Sequence, residues 1–289
     1  MQLGLVGLGR MGGSMRDRLR EAGHEVVGYD HDPALTDVPS LAALAGALAP
    51  PRVVWLMVPA AVTGEVVDAL AAALASGDLI IDGGNSHYTH DGPRAARLAE
   101  SGIGYLDVGV SGGVWGREQG YALMVGGEDR QVQRCRPIFE ALKPAGEFGF
   151  VHAGGVGAGH YAKMVHNGIE YGLMQAYAEG YELLTRSTLV EDVPGVVRSW
   201  RDGSVVRSWL LDLLDRALTE DPELASLRGY VQDTGEGRWT VAEAIRLGVP
   251  MPALTAALFA RFSSREDDPP AMRAVAALRE QFGGHAVRR

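Results

Sequence analysis

Lysine is almost absent from this chain of 289 residues, which has two lysines among 27 basic residues. Cysteine is rarer still, because Cys135 is the only one, so the chain can form no internal disulfide. A chain of this kind is typical of a reducing compartment, and we expect it in the cytoplasm. We interpret Cys135 as a small buried apolar residue, since no catalytic cysteine–histidine pattern surrounds it.

Long apolar runs and basic patches are also missing. The longest apolar run lies around Val53–Val62, which is too short to span a bilayer, so we expect no membrane segment. The first residues, Leu3–Leu8, resemble a strand and carry no charged leader or cleavage site, so we expect no secretory signal. The net charge is −9 and no basic stripe is present, which argues against nucleic-acid binding.

One of the two lysines lies in the most informative segment of the chain, GAGHYAKMVHNGIEYG. Arginine stays protonated in proteins, whereas a buried lysine can lose its proton and act as a base. Lys163, His166, Asn167 and Glu170 are spaced at i, i+3, i+4 and i+7, so on a helix they share one face. We predict that this polar face lines a site.

The first half of the chain alternates strand-like and helical segments, which predicts a mostly parallel sheet covered by helices. The predicted strands are Leu3–Val6, Glu25–Tyr29, Val53–Val58, Leu79–Asp82, Gly104–Val108 and Ala122–Val125. The predicted helices between them are Met11–Ala22, Leu41–Ala49, Val62–Ala75 and Gly92–Ser101. The glycine-rich stretch His152–Gly159 is interpreted as a connector.

From Ala158 onward the periodicity is helical almost throughout. The predicted helices are Ala158–Arg186, Val193–Trp200, Trp209–Leu218, Val241–Leu247, Leu254–Ser263 and Ala271–Phe282. The sequence therefore predicts an α/β Rossmann-type domain over residues 1–157 and an all-α domain over residues 158–289.

A nucleotide-binding pattern, GxGxxG, joins the first predicted strand to the first predicted helix. It consists of Gly7, Leu8, Gly9, Arg10, Met11 and Gly12. Such a loop brings backbone N–H groups and a helix N-terminus close to a pyrophosphate. Asp30 ends the second strand, where a carboxylate can hold the ribose hydroxyls of NAD and repel the extra phosphate of NADP. We therefore predict NAD as the cofactor, with Val58 and Asn85 as further contacts.

Two polar turns follow later strands, at the sheet edge where ligands bind in open α/β sheets. Asn85 lies in the turn DGGNS, and Ser111, Gly112 and Gly113 lie in VSGG. Asparagine and serine side chains donate and accept hydrogen bonds, and glycines expose N–H groups to an oxyanion. The alternative is that these are ordinary capped turns. Because the same chain also has the nucleotide loop, we favour the interpretation that these turns line a substrate site.

These motifs together resemble the decarboxylating 6-phosphogluconate dehydrogenases, in their short bacterial form. The segments IIDGGNS, GVSGG, GAGHYAKMVHNGIEYGLMQ, EGRWT and FGGH occur in the order expected of that family. The first domain and the lysine are shared with the wider β-hydroxyacid dehydrogenases, whereas KMVHNGIE together with FGGH is much more specific. The resemblance extends over essentially the whole chain.

The resemblance implies a role for each polar residue of the helix. Lys163 would take the proton of the substrate 3-hydroxyl, and Glu170 would protonate the enediol carbon after carbon dioxide leaves. His166 and Asn167 would orient the substrate. Its carboxylate and hydroxyls would be held by Asn85, Ser111, Gly112 and Gly113. No metal is required, because a positioned ammonium group polarises the carbonyl.

The resemblance is weakest where the substrate phosphate would bind. In longer members of the family a lysine and a threonine contribute there, but this chain has Thr234 and Glu236. The phosphate of the sugar acid would then rest on Tyr171, Arg261 and Arg279. The tail containing Arg279 and His285 would reach the site of a neighbouring subunit, which implies a homodimer or homotetramer with shared active sites.

Two other functions remain open at this point. One is a β-hydroxyacid dehydrogenase that acts on an unphosphorylated or differently decorated acid, which Thr234 and Glu236 favour. The other is a non-catalytic NAD-binding sensor, which the pairing of Lys163 with Glu170 argues against, since a sensor needs no acid–base pair.

Overall fold

The structure is a computed structural model that describes residues 1–283 and residue 286. Contacts within the chain divide it into two units, Met1–His166 and Asn167–Arg289. The division falls inside one long helix, because that helix begins at Ala158 and ends at Arg186. A domain boundary at residues 157/158 remains a prediction.

The first unit contains a single seven-stranded sheet with the order β2-β1-β3-β4-β5-β6-β7. All neighbouring strands are parallel except β5 and β6, which are antiparallel. The strands are β1 Gln2–Val6, β2 Glu25–Tyr29, β3 Val53–Leu56, β4 Leu79–Asp82, β5 Gly104–Ser111, β6 Ala122–Gly127 and β7 Phe150–Gly154. The predicted Rossmann-type domain with a mostly parallel sheet is therefore confirmed.

Helices cover both faces of this sheet. They are α1 Arg10–Glu21, α2 Leu41–Ala47, α3 Ala60–Ala71, α4 Asp91–Glu100, α5 Gly116–Gln119 and α6 Asp129–Leu142. One apolar cluster contains Leu3, Trp55 and Phe139, and a second contains Val54 and Ile80. Because successive strand residues point to opposite faces, Val54 and Trp55 belong to different clusters. Burial of all four residues of β3 explains its unbroken apolar sequence.

Cys135 and Lys143, two of the rare residues of the chain, are buried in the first unit. Cys135 on α6 is fully buried in the apolar core, as expected, and burial raises the pKa of its thiol to about 12. Lys143 follows α6, is 7% exposed and donates a hydrogen bond to the carbonyl oxygen of Gly146. These contacts indicate a structural role for Lys143. Lys163 is therefore the lysine that is the candidate base.

The second unit consists of helices in the part of the chain that the structure describes, which confirms the predicted all-α domain. They are the remainder of α7 Ala158–Arg186, then α8 Val193–Ser199, α9 Trp209–Glu220, α10 Glu236–Leu247, α11 Pro252–Ser263 and α12 Pro270–Gly283. One apolar cluster contains Tyr171 and Leu258, and another contains Val197 and Leu211. Among the described residues, no helix combines the length and apolar character needed to cross a membrane.

Several predicted boundaries are wrong. Strand β7 lies where a connector was expected, because its partly exposed, glycine-containing sequence lacks an apolar run. Helix α6 was not predicted, since its apolar residues are interrupted by arginines and by Pro137. Strand β3 ends two residues earlier than Val58. Helix α10 begins at Glu236, five residues before Val241, so the polar segment EGRWT is helical.

Candidate active site

The GxGxxG loop has the geometry that a bound dinucleotide requires. Gly7 has a φ of +88°, in the region that favours glycine, and a Cβ added at Gly12 would lie 1.8 Å from the Gly7 carbonyl oxygen. A Cβ added at Gly9 would meet no described atom within 4 Å, so the loop leaves open space in front of α1. The first turn of α1 contains no acidic residue. The helix N-terminus and its open approach therefore fit a pyrophosphate.

The remaining residues of the loop have distinct environments. Leu8 is buried, Met11 packs against the core, and Arg10 is exposed. Val58 flanks the loop, because its Cγ1 atom would lie 3.1 Å from a Cβ added at Gly7. The structure thus brings Val58 beside the glycine loop, as expected of a residue near the cofactor.

Asp30 braces the nucleotide loop. One carboxylate oxygen accepts a hydrogen bond from the backbone N–H of Leu8 at 2.6 Å, and the other accepts from Asp32 at 2.9 Å. Burial opposes ionisation of Asp30, but the N–H groups of Asp32 and Leu8 outweigh it and hold its pKa below the ordinary value. The side chain is 7% exposed. The carboxylate therefore remains charged and orients the loop, in addition to any contact with a ribose.

The turn that contains Asn85 is organised by Asp82, the last residue of β4. Its carboxylate accepts hydrogen bonds from the N–H of Gly84 at 3.0 Å and from Oγ of Ser86 at 2.7 Å. Arg94 lies 3.2 Å from the same carboxylate, which is fully buried. Asn85 itself is half-buried. The hydrogen bonds to the buried Asp82 therefore fix the conformation of this turn.

The second polar turn begins at the end of β5. Ser111 is the last residue of the strand, and Gly112 and Gly113 follow with φ values of +146° and +54°, which favour glycine. Both glycines are exposed. The hydroxyl oxygen of Ser111 lies 3.5 Å from Nε2 of His166 on α7. The structure therefore brings Ser111 and His166 together, although they are 55 residues apart.

Lys163 lies against the same strand. A Cβ added at Gly109 would be 2.4 Å from Cβ of Lys163 and 2.7 Å from the carbonyl oxygen of Gly159. Glycine at position 109 of β5 is thus required for the close approach of α7 to the sheet. Lys163 is half-buried beside the strand that ends in Ser111.

The first turn of α7 is held by a buried carboxylate. Asp107 on β5 accepts hydrogen bonds from the N–H groups of Gly157 at 2.7 Å and His160 at 2.9 Å. Negative charge at a helix N-terminus is favourable. Burial nevertheless raises the pKa of Asp107, and the nearby charge of Asp91 adds to that effect. Asp107 therefore fixes the start of the helix one turn before Lys163.

A buried charged cluster joins this turn to the turn of Asn85. His160 lies 2.9 Å from Asp91, and Tyr105 donates hydrogen bonds to Asp91 at 2.8 Å and to Asp82 at 3.2 Å. Burial opposes protonation of His160, but its hydrogen bond to Asp91 and the surrounding carboxylates raise its pKa to about 9. We call His160, Asp91, Asp82, Tyr105 and Arg94 the buried cluster. It was missed by sequence reasoning, because its members are far apart in the chain.

Three members of the buried cluster offer ligand atoms within 4.8 Å of one another, namely Asp82, Asp91 and His160. These atoms already bind Arg94, Tyr105 and one another. The guanidinium group of Arg94 supplies the positive charge that a cation would otherwise bring. We therefore interpret the cluster as an ion-pair network.

The second unit contains further residues that the resemblance implies for the substrate. Glu170 is half-buried and Tyr171 is 6% exposed, both on α7. The guanidinium carbon of Arg261 lies 3.5 Å from the centre of the Tyr171 ring, in a cation–π contact. The N–H of Thr234 donates to the Tyr171 hydroxyl at 3.4 Å. Tyr171 and Arg261 are thus brought together as the resemblance implied.

Glu236 is a buried carboxylate that bonds Asn167 and Thr234. Its Oε1 atom accepts a hydrogen bond from Nδ2 of Asn167 at 2.9 Å, and its Oε2 atom accepts from Oγ1 of Thr234 at 2.6 Å. In the preceding segment, Asp233 binds Arg238 and Arg265, and the hydrogen bond from Arg238 is the main reason that its pKa falls to about 2. The segment before α10 is therefore rigidly braced.

Two of the predicted phosphate ligands belong to the C-terminal tail. Arg279 is exposed on α12, and its predicted contact with a substrate phosphate remains a prediction. His285 lies outside the described residues.

Comparison with known proteins agrees with these observations. Residues 2–146 match the family described as the NAD binding domain of 6-phosphogluconate dehydrogenase, and residues 159–286 match the 6-phosphogluconate dehydrogenase C-terminal domain. A Haloferax volcanii protein, named 6-phosphogluconate dehydrogenase, NAD(+)-dependent, decarboxylating, is 42% identical over 100% of this chain and 99% of its own length. The chain belongs to the 6-phosphogluconate dehydrogenase family.

Other members of the family are longer. A Bacillus subtilis protein of the same name is 35% identical over 91% of this chain, which spans 61% of the relative's length. The 6-phosphogluconate dehydrogenase of Plasmodium falciparum, solved apo, with NADP+ and with 6-phosphogluconate, superposes with a TM-score of 0.84 at 26% identity. That match covers 100% of this chain and 66% of the Plasmodium chain. The family resemblance, the fold and an NAD-binding first unit are thus confirmed.

Proposed function

We propose that the chain catalyses the oxidative decarboxylation of 6-phosphogluconate to ribulose 5-phosphate and carbon dioxide, with hydride transfer to NAD. One observation carries the proposal: Lys163 packs against Gly109 of β5, close to the strand end where Ser111 meets His166, in a chain of this family. A lysine held beside a polar strand end, next to a nucleotide-binding sheet, is suited to removing a proton from a substrate hydroxyl.

Residues of α7 would carry out the proton transfers of the reaction. NAD, when bound, supplies the hydride acceptor. Lys163 takes the proton of the 3-hydroxyl as the hydride leaves, which gives a β-keto acid. Such an acid loses carbon dioxide readily, and the protonated Lys163 donates to its carbonyl oxygen as the enediol forms. Glu170, two turns further along the same helix, then protonates the carbon.

Positioning of the substrate falls to the two polar turns and the second unit. Asn85, Ser111, Gly112 and Gly113 would hold the carboxylate and hydroxyls, and His166 and Asn167 would orient the carbon that reacts. Tyr171 with Arg261, and Arg279 and His285 from the tail, would bind the phosphate. The cation–π contact of Arg261 with Tyr171 supports this, because it fixes a guanidinium group that can pair with phosphate.

Cofactor choice would depend on the segment after β2. Asp30 is charged and braces the loop, and His31 and Asp32 follow it where a cationic residue would be needed to bind the extra phosphate of NADP. The field of these carboxylates favours NAD over NADP.

We propose further that the protein is a cytoplasmic homodimer or homotetramer with shared active sites. Apolar side chains on α7 are exposed in the single chain, since Ile169 is 51% exposed, Leu173 is 43% exposed and Leu183 is 73% exposed. A second copy of the chain is the natural cover for such a helix. Sedimentation of fully active protein as a monomer would contradict this proposal.

A second candidate function rests on Glu236. Where the resemblance implies a phosphate ligand in longer members of the family, this chain has a buried carboxylate bonded to Thr234 and Asn167, which favours an acid without phosphate as the substrate. NADH formation with 6-phosphogluconate and with gluconate, each with NAD and with NADP, separates the two. We expect turnover with 6-phosphogluconate and NAD. Faster turnover with gluconate would support the second function instead.

A further inference from the structure

The two oxygens of the Glu236 carboxylate accept hydrogen bonds from different residues. Oε1 accepts from the amide nitrogen of Asn167 at 2.9 Å, and Oε2 accepts from the hydroxyl of Thr234 at 2.6 Å. The residue is 4% exposed. A buried carboxylate that accepts these hydrogen bonds holds both partners in fixed positions, and one of them, Asn167, is a proposed substrate contact.

The start of α10 explains how this charge is accommodated. Glu236 is the first residue of a 12-residue helix, where the helix dipole stabilises negative charge. Gly235 precedes it with a φ of +108°, which favours glycine and turns the chain into the helix. The next residue, Gly237, gives room for the Tyr171 ring, because an added Cβ would lie 2.5 Å from that ring. The turn at Gly235 and the favourable position at the helix N-terminus together hold the Glu236 carboxylate beside Asn167.

A carboxylate specifies the orientation of an asparagine amide. Ionised glutamate can only accept hydrogen bonds, so the branch of the Asn167 amide that faces it must be the nitrogen. The carbonyl oxygen then forms the other branch. A hydroxyl group in place of this carboxylate would both donate and accept, and so would not distinguish the two branches.

We infer that Glu236 is a positioning residue, which fixes the amide of Asn167 so that its carbonyl oxygen is the acceptor offered to a substrate hydroxyl. This inference depends on the proposed function, in which Asn167 contacts the sugar acid. It assigns Glu236 a role different from that of a phosphate ligand. Recognition of the phosphate then belongs to Tyr171 and Arg261 and the tail.

A donor–acceptor exchange tests the inference. Asn167→Asp sets two carboxylates against each other, so we expect kcat/KM to fall by about a hundredfold or more. Adding Glu236→Gln restores a hydrogen bond of reversed direction, in which the glutamine amide donates and the new carboxylate still offers its other oxygen to the substrate. The double variant should regain about tenfold in kcat/KM, within the range of couplings measured between contacting residues. Glu236→Gln alone should lower kcat/KM by about threefold, because a neutral hydrogen bond replaces a charge-assisted one.

Glu243 provides the matched control. It is 7% exposed on the same helix and pairs with Arg246 at 2.7 Å. Glu243→Gln removes an equivalent buried charge, yet it should give no recovery in the Asn167→Asp background. Equal recovery from both glutamine substitutions, or none from Glu236→Gln, would overturn the inference.

The midpoint temperatures of thermal unfolding of the same variants give a second test that does not depend on enzyme activity. The hydrogen bond predicts that Asn167→Asp lowers the midpoint and that Glu236→Gln, but not Glu243→Gln, raises it again. If wild type fails to oxidise 6-phosphogluconate, the proposed function is wrong, while the midpoints still decide whether Glu236 holds residue 167. If wild type is active but neither kcat/KM nor the midpoint recovers, only the inference about Glu236 fails.

Discussion

Nδ1 of His160 lies 2.9 Å from Oδ2 of Asp91, and both side chains are almost completely buried. The contact joins the first turn of α7, which leads to Lys163, to the N-terminus of α4. Through Tyr105 it extends to Asp82, which organises the turn of Asn85. The first turn of α7 and the turn that contains Asn85 are therefore held by the same buried cluster. If the buried cluster is disrupted, we expect Lys163 and Asn85 to lose their fixed positions.

Stability should depend on pH through His160. Its pKa of about 9 lies above the ordinary value of 6.5, so its contribution is complete below pH 6.5 and is lost as the pH rises through about 9. His160→Gln should cost about 3–5 kcal/mol at pH 6, because it leaves Asp91 buried without its cation. The difference in free energy of unfolding between wild type and variant should shrink by pH 10. Exposed His90, substituted in the same way, is the control, and an equal loss at both pH values would contradict the assignment.

Lys163→Arg tests the proposed base. Arginine keeps the positive charge but cannot supply a neutral amine, so turnover should fall by about 10²- to 10⁴-fold while NAD binding persists. Lys143→Arg is the control, since that lysine also lies in the first unit but contacts structural partners, Gly146 and Glu140. Near-normal turnover of Lys163→Arg would show that another group is the base.

Asp30→Ala tests the brace of the nucleotide loop. Because the substitution removes the acceptor for Leu8 and the charge beside the ribose, NAD affinity should fall by about tenfold or more and the preference over NADP should narrow. Asp37→Ala is the control, since Asp37 accepts from the N–H of Gly28 on β2 without bonding the glycine loop. Fluorescence titration with each dinucleotide measures both effects. Unchanged selectivity in Asp30→Ala would refute the role in cofactor choice.

Gly109→Ala tests the close approach of α7 to the sheet. The new Cβ would lie 2.4 Å from Cβ of Lys163, so the helix must shift, with a cost of about 1–3 kcal/mol and a fall in kcat larger than the change in KM. Gly46→Ala on α2 is the control, because an added Cβ there meets no described atom within 4 Å. Wild-type kcat in Gly109→Ala would mean that Lys163 needs no such fixed position.

Local sequence signals were sufficient for much of the fold. The limits of β2, β4 and α7 were predicted to the residue, because each is an unbroken periodic segment between turn residues. Strand β7 lacks such a signal, since it is a partly exposed edge strand. Helix α6 was obscured by Pro137 and its arginines, although its apolar residues face one side.

The site was predictable only where its residues share one motif. The spacing of Lys163, His166, Asn167 and Glu170 follows from helical geometry, and the glycine loop follows from its pattern. The contact between His160 and Asp91 joins residues 69 positions apart, and that between Asn167 and Glu236 also spans 69 positions. Such pairs depend on tertiary packing, so no local periodicity indicates them.

Release of carbon dioxide is the most direct test of the central claim. The purified protein is incubated with NAD and 6-phosphogluconate labelled with ¹³C at the carboxyl carbon, and NADH and labelled carbon dioxide are measured together. The account predicts one labelled carbon dioxide for each NADH, and loss of both in Lys163→Arg. NADH without labelled carbon dioxide would identify a dehydrogenase that does not decarboxylate, and formation of neither product from this substrate would contradict the account.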